Sequence, residues 1–169
     1  MTRRQQGEPR AWEELVRLWE KRLFFCLRRL LSDEQDAWDA LQETWLQVLG
    51  GLHSLREPAS LPTWLYRIAR NTAMGRLRTQ YQDRALVEEV PSRLEEEPDV
   101  EFSVTEAVQI QRLLGNLPLP HREVLTLFFL DDLSIEEIAA VIQAPLGTVK
   151  SRLHYAKQAL RRALEEEGS

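Results

Sequence analysis

The stretch SIEEIAAVIQAPLGTVKSRLHYAKQAL, residues 134–160, reads as two short helices separated by a tight break. Ser134 and Glu137 have the spacing of a capping box, and Ile135, Ile138, Ala139 and Ile142 recur at the period of an inward helical stripe. The break spans Gln143 to Leu146, with Pro145 suited to the first position of a new helix. The second helix repeats Val149, Leu153, Ala156 and Leu160 on one side. Thr148, Ser151, His154, Tyr155 and Gln158 point away from that side, with Lys150 and Lys157 on one edge and Arg152 on the other. Two short helices with a tight turn, the second basic, read as a helix-turn-helix. Small hydrogen-bonding side chains then meet base edges in the major groove, and the flanking cations meet phosphates. A solvated amphipathic helix would carry a charged outer face too, so this pattern alone leaves both readings open.

Working outward, the same helical period continues. Residues 104–117 form a helix closed by Pro118 and Pro120, and residues 121–130 form another. Toward the N-terminus, Trp12, Leu15, Trp19, Leu23, Leu27, Leu30 and Leu31 fit one or two helices over about 10–31. Cys26 lies in this apolar stretch and reads as a core thiol. Ser32 and Gln35 suggest a capping box that opens a helix with Ala37, Leu41, Trp45 and Val48 inside, ended by Gly50 and Gly51. On its outer side Asp36, Asp39, Glu43 and Gln47 share a face, with Gln42 nearby. After a loop holding Pro58, a third helix runs from Leu61 or Pro62 to Thr79. Its inner side is Leu61, Leu65, Ile68, Ala69 and Thr72. Arg67, Arg70, Asn71, Met74 and Arg78 lie opposite, flanked by Trp64 and Tyr66. Arginines beside aromatics suit unstacked bases, although a tryptophan in such a place is more often a core residue.

The chain has 169 residues and a formal charge of −5, but that charge is segregated. Residues 1–79 carry 13 Lys and Arg against 10 acids, residues 80–101 carry 2 against 8, and residues 102–169 carry 7 against 9. Residues 63–79 hold four Arg and no acid, and residues 145–162 hold five cations and no acid. Local basic stripes govern phosphate contact more than the overall sum does. Residues 80–101, acidic and containing Pro91 and Pro98, read as a solvated tether, or alternatively as an acidic strip that shields the basic helices. The expected fold is therefore all-α: two small helical domains, 1–79 and 102–169, joined by an acidic linker at 80–101, the second with the helix-turn-helix.

Several function classes drop out. One cysteine excludes a disulfide framework. His53, His121 and His154 fall in three separate elements, and no His or Cys accompanies the carboxylates at 36–43, so neither a metal site nor a catalytic site is expected. The longest nearly apolar run, Val124 to Leu130, is far short of the roughly 20 residues of a membrane span. The first ten residues lack an apolar core of the secretory kind, so a soluble cytoplasmic protein without cofactors is expected.

At this point the residues resemble a family. DAWDALQETW (residues 36–45) is similar to the DAEDLxQETF stretch of region 2 of bacterial sigma factors, and WLYRIARN (64–71) to the WLxRIARN stretch that follows it. LP (117–118), REVL (122–125), LSIEEIA (133–139) and GTVKSRLH (147–154) together resemble region 4. The order of the motifs is that of the extracytoplasmic-function sigma factors, and the resemblance covers roughly 10–79 and 103–165. The chain departs from the family's pattern at Trp38, where an acid is usual, at Gly75, where Asp is usual, and at Gln143, where Gly is common.

The resemblance implies a protein that binds core RNA polymerase, directs it to promoter DNA, helps to open the duplex and catalyses nothing itself. It implies docking on the coiled coil of the β′ subunit through Asp39, Gln42, Glu43 and Gln47, with a further contact to the β flap. The −10 element would be read by the loop 53–62 and by Arg67, Arg70, Asn71, Met74 and Arg78, with a flipped base held near the loop. The −35 element would be read by Thr148, Lys150, Ser151, Arg152, His154, Tyr155 and Lys157. An anti-sigma factor is a further implied partner. Two other readings stay open: a sigma-like interaction protein that docks on polymerase or an anti-sigma factor without supporting initiation, and a dimeric helix-turn-helix repressor, which would have no need of the motifs at 36–71.

Overall fold

The computed structural model describes residues 9–80 and 112–168. The chain forms two compact units, residues 1–84 and 85–169. All regular structure among the described residues is helical. No described helix is long and apolar enough to cross a membrane. The expected linker at 80–101 lies outside the described residues except for Gln80, as does most of the expected helix 104–117, of which 112–114 are described as helical.

In the first unit, α1 is a single helix, Pro9–Leu30. Leu15, Leu23, Cys26, Leu27 and Leu30 are buried along its inner stripe, and Leu31 just past its end is buried as well. Arg28 and Arg29 occupy the last turn, where cations offset the negative end of the helix dipole. Arg28 also donates to the carbonyls of Leu31 and Ser32 at 3.1 and 2.8 Å, satisfying acceptors that the helix end leaves open. Helix α2 is Glu34–Gly51, and its cap corrects the sequence expectation by one residue. Asp33, not Ser32, is the N-cap, and its carboxylate accepts the Gln35 N–H at 3.1 Å. A carboxylate at the positive helix end gains from the dipole as well as from the hydrogen bond, so it outcompetes the neighbouring hydroxyl. Ala37, Ala40, Leu41, Thr44 and Val48 are buried, whereas Trp45 is half-buried against Trp12, edge to face at 5.8 Å. Helix α3 is Leu61–Gln80, with Leu65, Tyr66, Ala69 and Ala73 buried.

In the second unit, α4 is Leu119–Leu125, capped by Pro118, so Pro120 stands in the first turn of this helix rather than closing the one before it. Residues Thr126–Leu130 then widen into a π-helical turn, where the Asp131 N–H reaches the Thr126 carbonyl at 3.1 Å. Helix α5 is Ile135–Ile142. Its capping box is complete: the Glu137 N–H donates to Ser134 Oγ at 3.1 Å, and the Ser134 N–H donates to Glu137 Oε1 at 3.0 Å. Gln143 closes α5 in the left-handed region, φ 55° and ψ 49°. The N–H groups of Gln143 and Ala144 both donate to the Ala139 carbonyl there. Helix α6 is Leu146–Gly168; Pro145 stands just before it rather than at its first position, and its carbonyl accepts the Val149 N–H at 3.2 Å. Val149, Leu153, Ala156 and Leu160 are buried against a core that includes Leu114, Val124, Leu125, Ile138 and Val141.

Candidate nucleic-acid and partner interfaces

The outer side of α2 begins with carboxylates. Asp36, Asp39 and Glu43 recur at three- and four-residue intervals and so share a face. They do not stand alone. Arg76 reaches across from α3, with one guanidinium nitrogen 3.0 Å from Glu43 Oε1 and the other 3.3 Å from Asp36 Oδ1 and 3.7 Å from Asp39 Oδ2. Asp39 also accepts from Gln35 Nε2 at 3.0 Å. One turn further, Gln47 Nε2 donates to Thr72 Oγ1 at 3.0 Å, and that hydroxyl donates to the Ile68 carbonyl at 2.9 Å. The expected docking residues Asp39, Glu43 and Gln47 are thus brought into one line along the seam with α3. Gln42 is exposed on the other side of the same strip, between Asp39 and Leu46.

Leu46 and Leu49 complete this face. They are 70% and 57% exposed, and the helical turn places them beside Asp39 and Gln42. Sequence reasoning passed over both. The signal was present, since neither fits the buried stripe of Ala37, Leu41 and Val48. An exposed leucine pair rimmed by acids and amides has the composition of an interface core with a polar rim.

The loop 53–62 is more ordered than a simple connection. Leu52–Ser54 and Pro58–Ser60 are 3-10 turns. Leu52 is buried and pins the loop's start, and Ser54 Oγ donates to the Gly51 carbonyl at 2.6 Å. A Cβ on Gly51 would lie 3.1 Å from Trp64 Cζ2, so the glycine is what lets the Trp64 ring pack over the loop's entrance. Beyond the loop, Arg67, Arg70, Asn71, Met74 and Arg78 are half-buried or exposed on the outer arc of α3, as expected. Arg70 donates to Asn71 Oδ1 at 3.4 Å, which couples two of the candidates. Tyr66 corrects the expectation that it flanks this arc. It is 1% exposed, with its ring edge to face with Trp19 at 5.9 Å, and so belongs to the core.

A groove of about 530 Å³ runs between α2 and α3, lined by Glu43, Gln47, Asn71, Thr72, Gly75, Arg76 and Thr79. It joins the end of the acidic line to Asn71. Nothing lies within 4 Å of the place a Cβ on Gly75 would take, so the departure from the usual Asp leaves this wall open.

On α6 the wheel drawn from sequence holds. Lys150 is exposed, and Thr148, Ser151, Arg152, His154 and Tyr155 are half-buried around the outer side. The His154 and Tyr155 rings meet edge to face at 5.1 Å, and Gln158 Nε2 lies 3.4 Å from His154 Nε2. Lys157 differs from the other cations. Its ammonium lies 4.9 Å from the centre of the Phe128 ring and 5.9 Å from that of Phe129, both on the π-helical turn, within the range of a cation–π contact. No group of His, Cys, Asp and Glu fit to hold a metal occurs among the described residues.

A helical unit with a tied acidic face, followed by a helix-turn-helix with a cationic outer side, defines a two-unit DNA-binding protein of all-helical build. Residues 15–82 match sigma-70 region 2, and residues 107–160 match sigma-70 region 4. The chain is 33% identical to the RNA polymerase sigma-H factor of Pseudomonas aeruginosa, over 95% of this chain and 90% of that one. It is 29% identical to the ECF RNA polymerase sigma factor SigW of Bacillus subtilis, over 95% of this chain and 92% of that one. The fold is similar to that of the sigma factor RpoE from Bartonella quintana, solved with the anti-sigma factor NepR, with a TM-score of 0.71 and 22% identity over 92% of this chain and 97% of that one. The chain belongs to the extracytoplasmic-function group of RNA polymerase sigma factors, proteins that direct promoter recognition and transcription initiation.

Proposed function

We propose that the two units divide the work of this sigma factor. The outer side of α2 docks on core RNA polymerase, with Leu46 and Leu49 as apolar anchors inside a rim of Asp39, Gln42, Glu43 and Gln47. The loop 53–62 and the arc of Arg67, Arg70, Asn71, Met74 and Arg78 hold the melted −10 strand. The outer side of α6 reads the −35 duplex, through Thr148, Ser151, His154 and Tyr155 at base edges and through Lys150 and Arg152 at phosphates. The separation of these surfaces by charge carries the reading: Asp36, Asp39 and Glu43 share one face of α2, while α3 from residue 63 and α6 up to residue 162 present cations without acids. Opposite signs suit opposite partners, a basic protein surface and a polyanion. Lys157, drawn toward Phe128, has a smaller part at the phosphates.

On this reading the protein is non-enzymatic and cytoplasmic, needs no cofactor, and has an anti-sigma factor as a further partner. Run-off transcription with core RNA polymerase on a set of promoters is the test. A transcript that starts at a defined position only when the protein is present supports initiation. Stable association with core polymerase and no transcript from any promoter would favour the interaction protein that docks without initiating.

A further inference from the structure

Arg76 is unlike the other arginines of α3. Arg67, Arg70 and Arg78 share the outer arc, whereas Arg76 falls about half a turn of the wheel away from Arg67. From there its guanidinium meets Asp36, Asp39 and Glu43 at 3.3, 3.7 and 3.0 Å. The exposures give the arrangement a direction. The Arg76 side chain is 23% exposed, and those of Asp39 and Glu43 are 44% and 51% exposed. Asp36, 26% exposed, is as sheltered as the cation, so Arg76 lies behind Asp39 and Glu43 in particular, and those two face an approaching partner. Three acids with one guanidinium among them present a formal charge of −2, not −3. The attraction that a basic surface feels scales with that sum.

We propose that Arg76 is the internal counter-ion of the docking face and sets its strength. A basic partner competes with Arg76 for Asp39 and Glu43 on arrival, and Arg76 recaptures them on release. Partly exposed ion pairs are individually weak, so this exchange has a low barrier in either direction. Recapture stabilises the separated state and the cation weakens long-range attraction, so the effect falls mainly on how fast the partner arrives. Arg76 is in this sense a positioning residue, acting through the carboxylates. The inference rests on the reading of α2 as the docking face.

The test uses the full chain and core RNA polymerase, with affinity and association rate measured across a range of salt concentrations. Arg76→Gln should bind about fivefold more tightly at low salt, the factor that the loss of one weak competing ion pair implies, and should associate faster. The gain should shrink as salt rises, because screening weakens exposed charges. Arg76→Lys, which keeps the charge, should stay close to the parent. Circular dichroism and thermal unfolding accompany each variant, and Arg76→Met, which keeps the aliphatic stem, replaces Arg76→Gln if the latter does not fold. Equal or weaker binding by a folded neutral variant overturns the inference, as does a lysine variant that behaves like the neutral one. Parent binding that is indifferent to Asp39→Lys with Glu43→Lys overturns the docking face and this inference with it. Parent binding that those reversals abolish, with no gain from the neutral variant, overturns this inference alone.

Discussion

On α2 the polar side chains are tied to a different helix, and on α6 they are tied mainly to their own. Asp36, Asp39 and Glu43 meet Arg76, and Gln47 meets Thr72, across 25 to 40 residues of sequence. On α6, His154 neighbours Gln158 and Arg161 donates to Glu165, each one helical turn along. The first face is thus set by the packing of α2 on α3. The second is set by how α6 begins, which depends on the α5 capping box and the left-handed Gln143. A surface fixed by packing suits a protein partner that needs several groups in register. A surface projecting from one helix suits a groove that accepts the helix as a unit.

The comparison breaks most visibly if charge is reversed on the first face. Asp39→Lys with Glu43→Lys, left beside Arg76, turns an acidic patch into a basic one, and association with core polymerase should fall by about 100-fold or more, as when like charges are set against each other in an interface. Helical content by circular dichroism should be unchanged, since Glu43 is exposed and Asp39 is only half-buried. Unchanged co-elution of this variant with core polymerase would remove α2 from the docking surface.

The second face should respond in two distinct ways. Lys150→Ala or Arg152→Ala should weaken binding at every promoter alike and lower the salt slope by about one unit each. Ser151→Ala or Tyr155→Ala should change which −35 sequences are preferred, with a cost of about 1–3 kcal/mol at the affected base pair. Binding across a −35 library at two salt concentrations separates the classes. The same pattern from both would mean that phosphate and base contacts are not divided in this way. Lys157→Ala should weaken DNA binding less than Lys150→Ala does, because its ammonium is engaged with Phe128.

The smallest effects concern how α6 is set. Ser134→Ala removes one arm of the capping box and should cost about 1 kcal/mol of stability. Gln143→Gly should stabilise the unit by about 0.5–1 kcal/mol, because glycine tolerates φ 55° without the Cβ penalty while adding some disorder to the unfolded chain. Thermal unfolding of each variant measures both. Destabilisation by Gln143→Gly would show that the glutamine side chain contributes there.

What the sequence disclosed follows the same division. The buried stripe of α6, the extent of α3 and the Ser134–Glu137 capping box were legible because each is written at a spacing of three or four residues. The stripes of α1 and α5 were legible in part: Trp12, Trp19, Ile135 and Ala139 are half-buried, and the buried Val141 was not among the residues expected inside. The groups expected on the outer arcs of α3 and α6 were legible for the same reason, apart from Tyr66, whose burial depends on Trp19 in another helix. Arg76 went unremarked because its partners lie 33 and 40 residues away for Glu43 and Asp36. The choice of Asp33 over Ser32 turned on which of two adjacent capping residues reaches the Gln35 N–H. The π-helical turn at Thr126–Leu130 lies within the nearly apolar run Val124–Leu130, which has no breaker inside it, and no local spacing distinguishes it from an α-helix.

Under the proposed function the two faces work together only on the polymerase. The chain carries −5 overall, and each basic helix is small, so the isolated protein has little long-range attraction to DNA. A gel-shift titration near physiological salt, with a promoter duplex and the protein alone, core polymerase alone, or both, measures this directly. A promoter-specific complex should form only when both are present. Specific sub-micromolar binding by the protein without core polymerase would contradict the joint reading and favour a free-standing repressor.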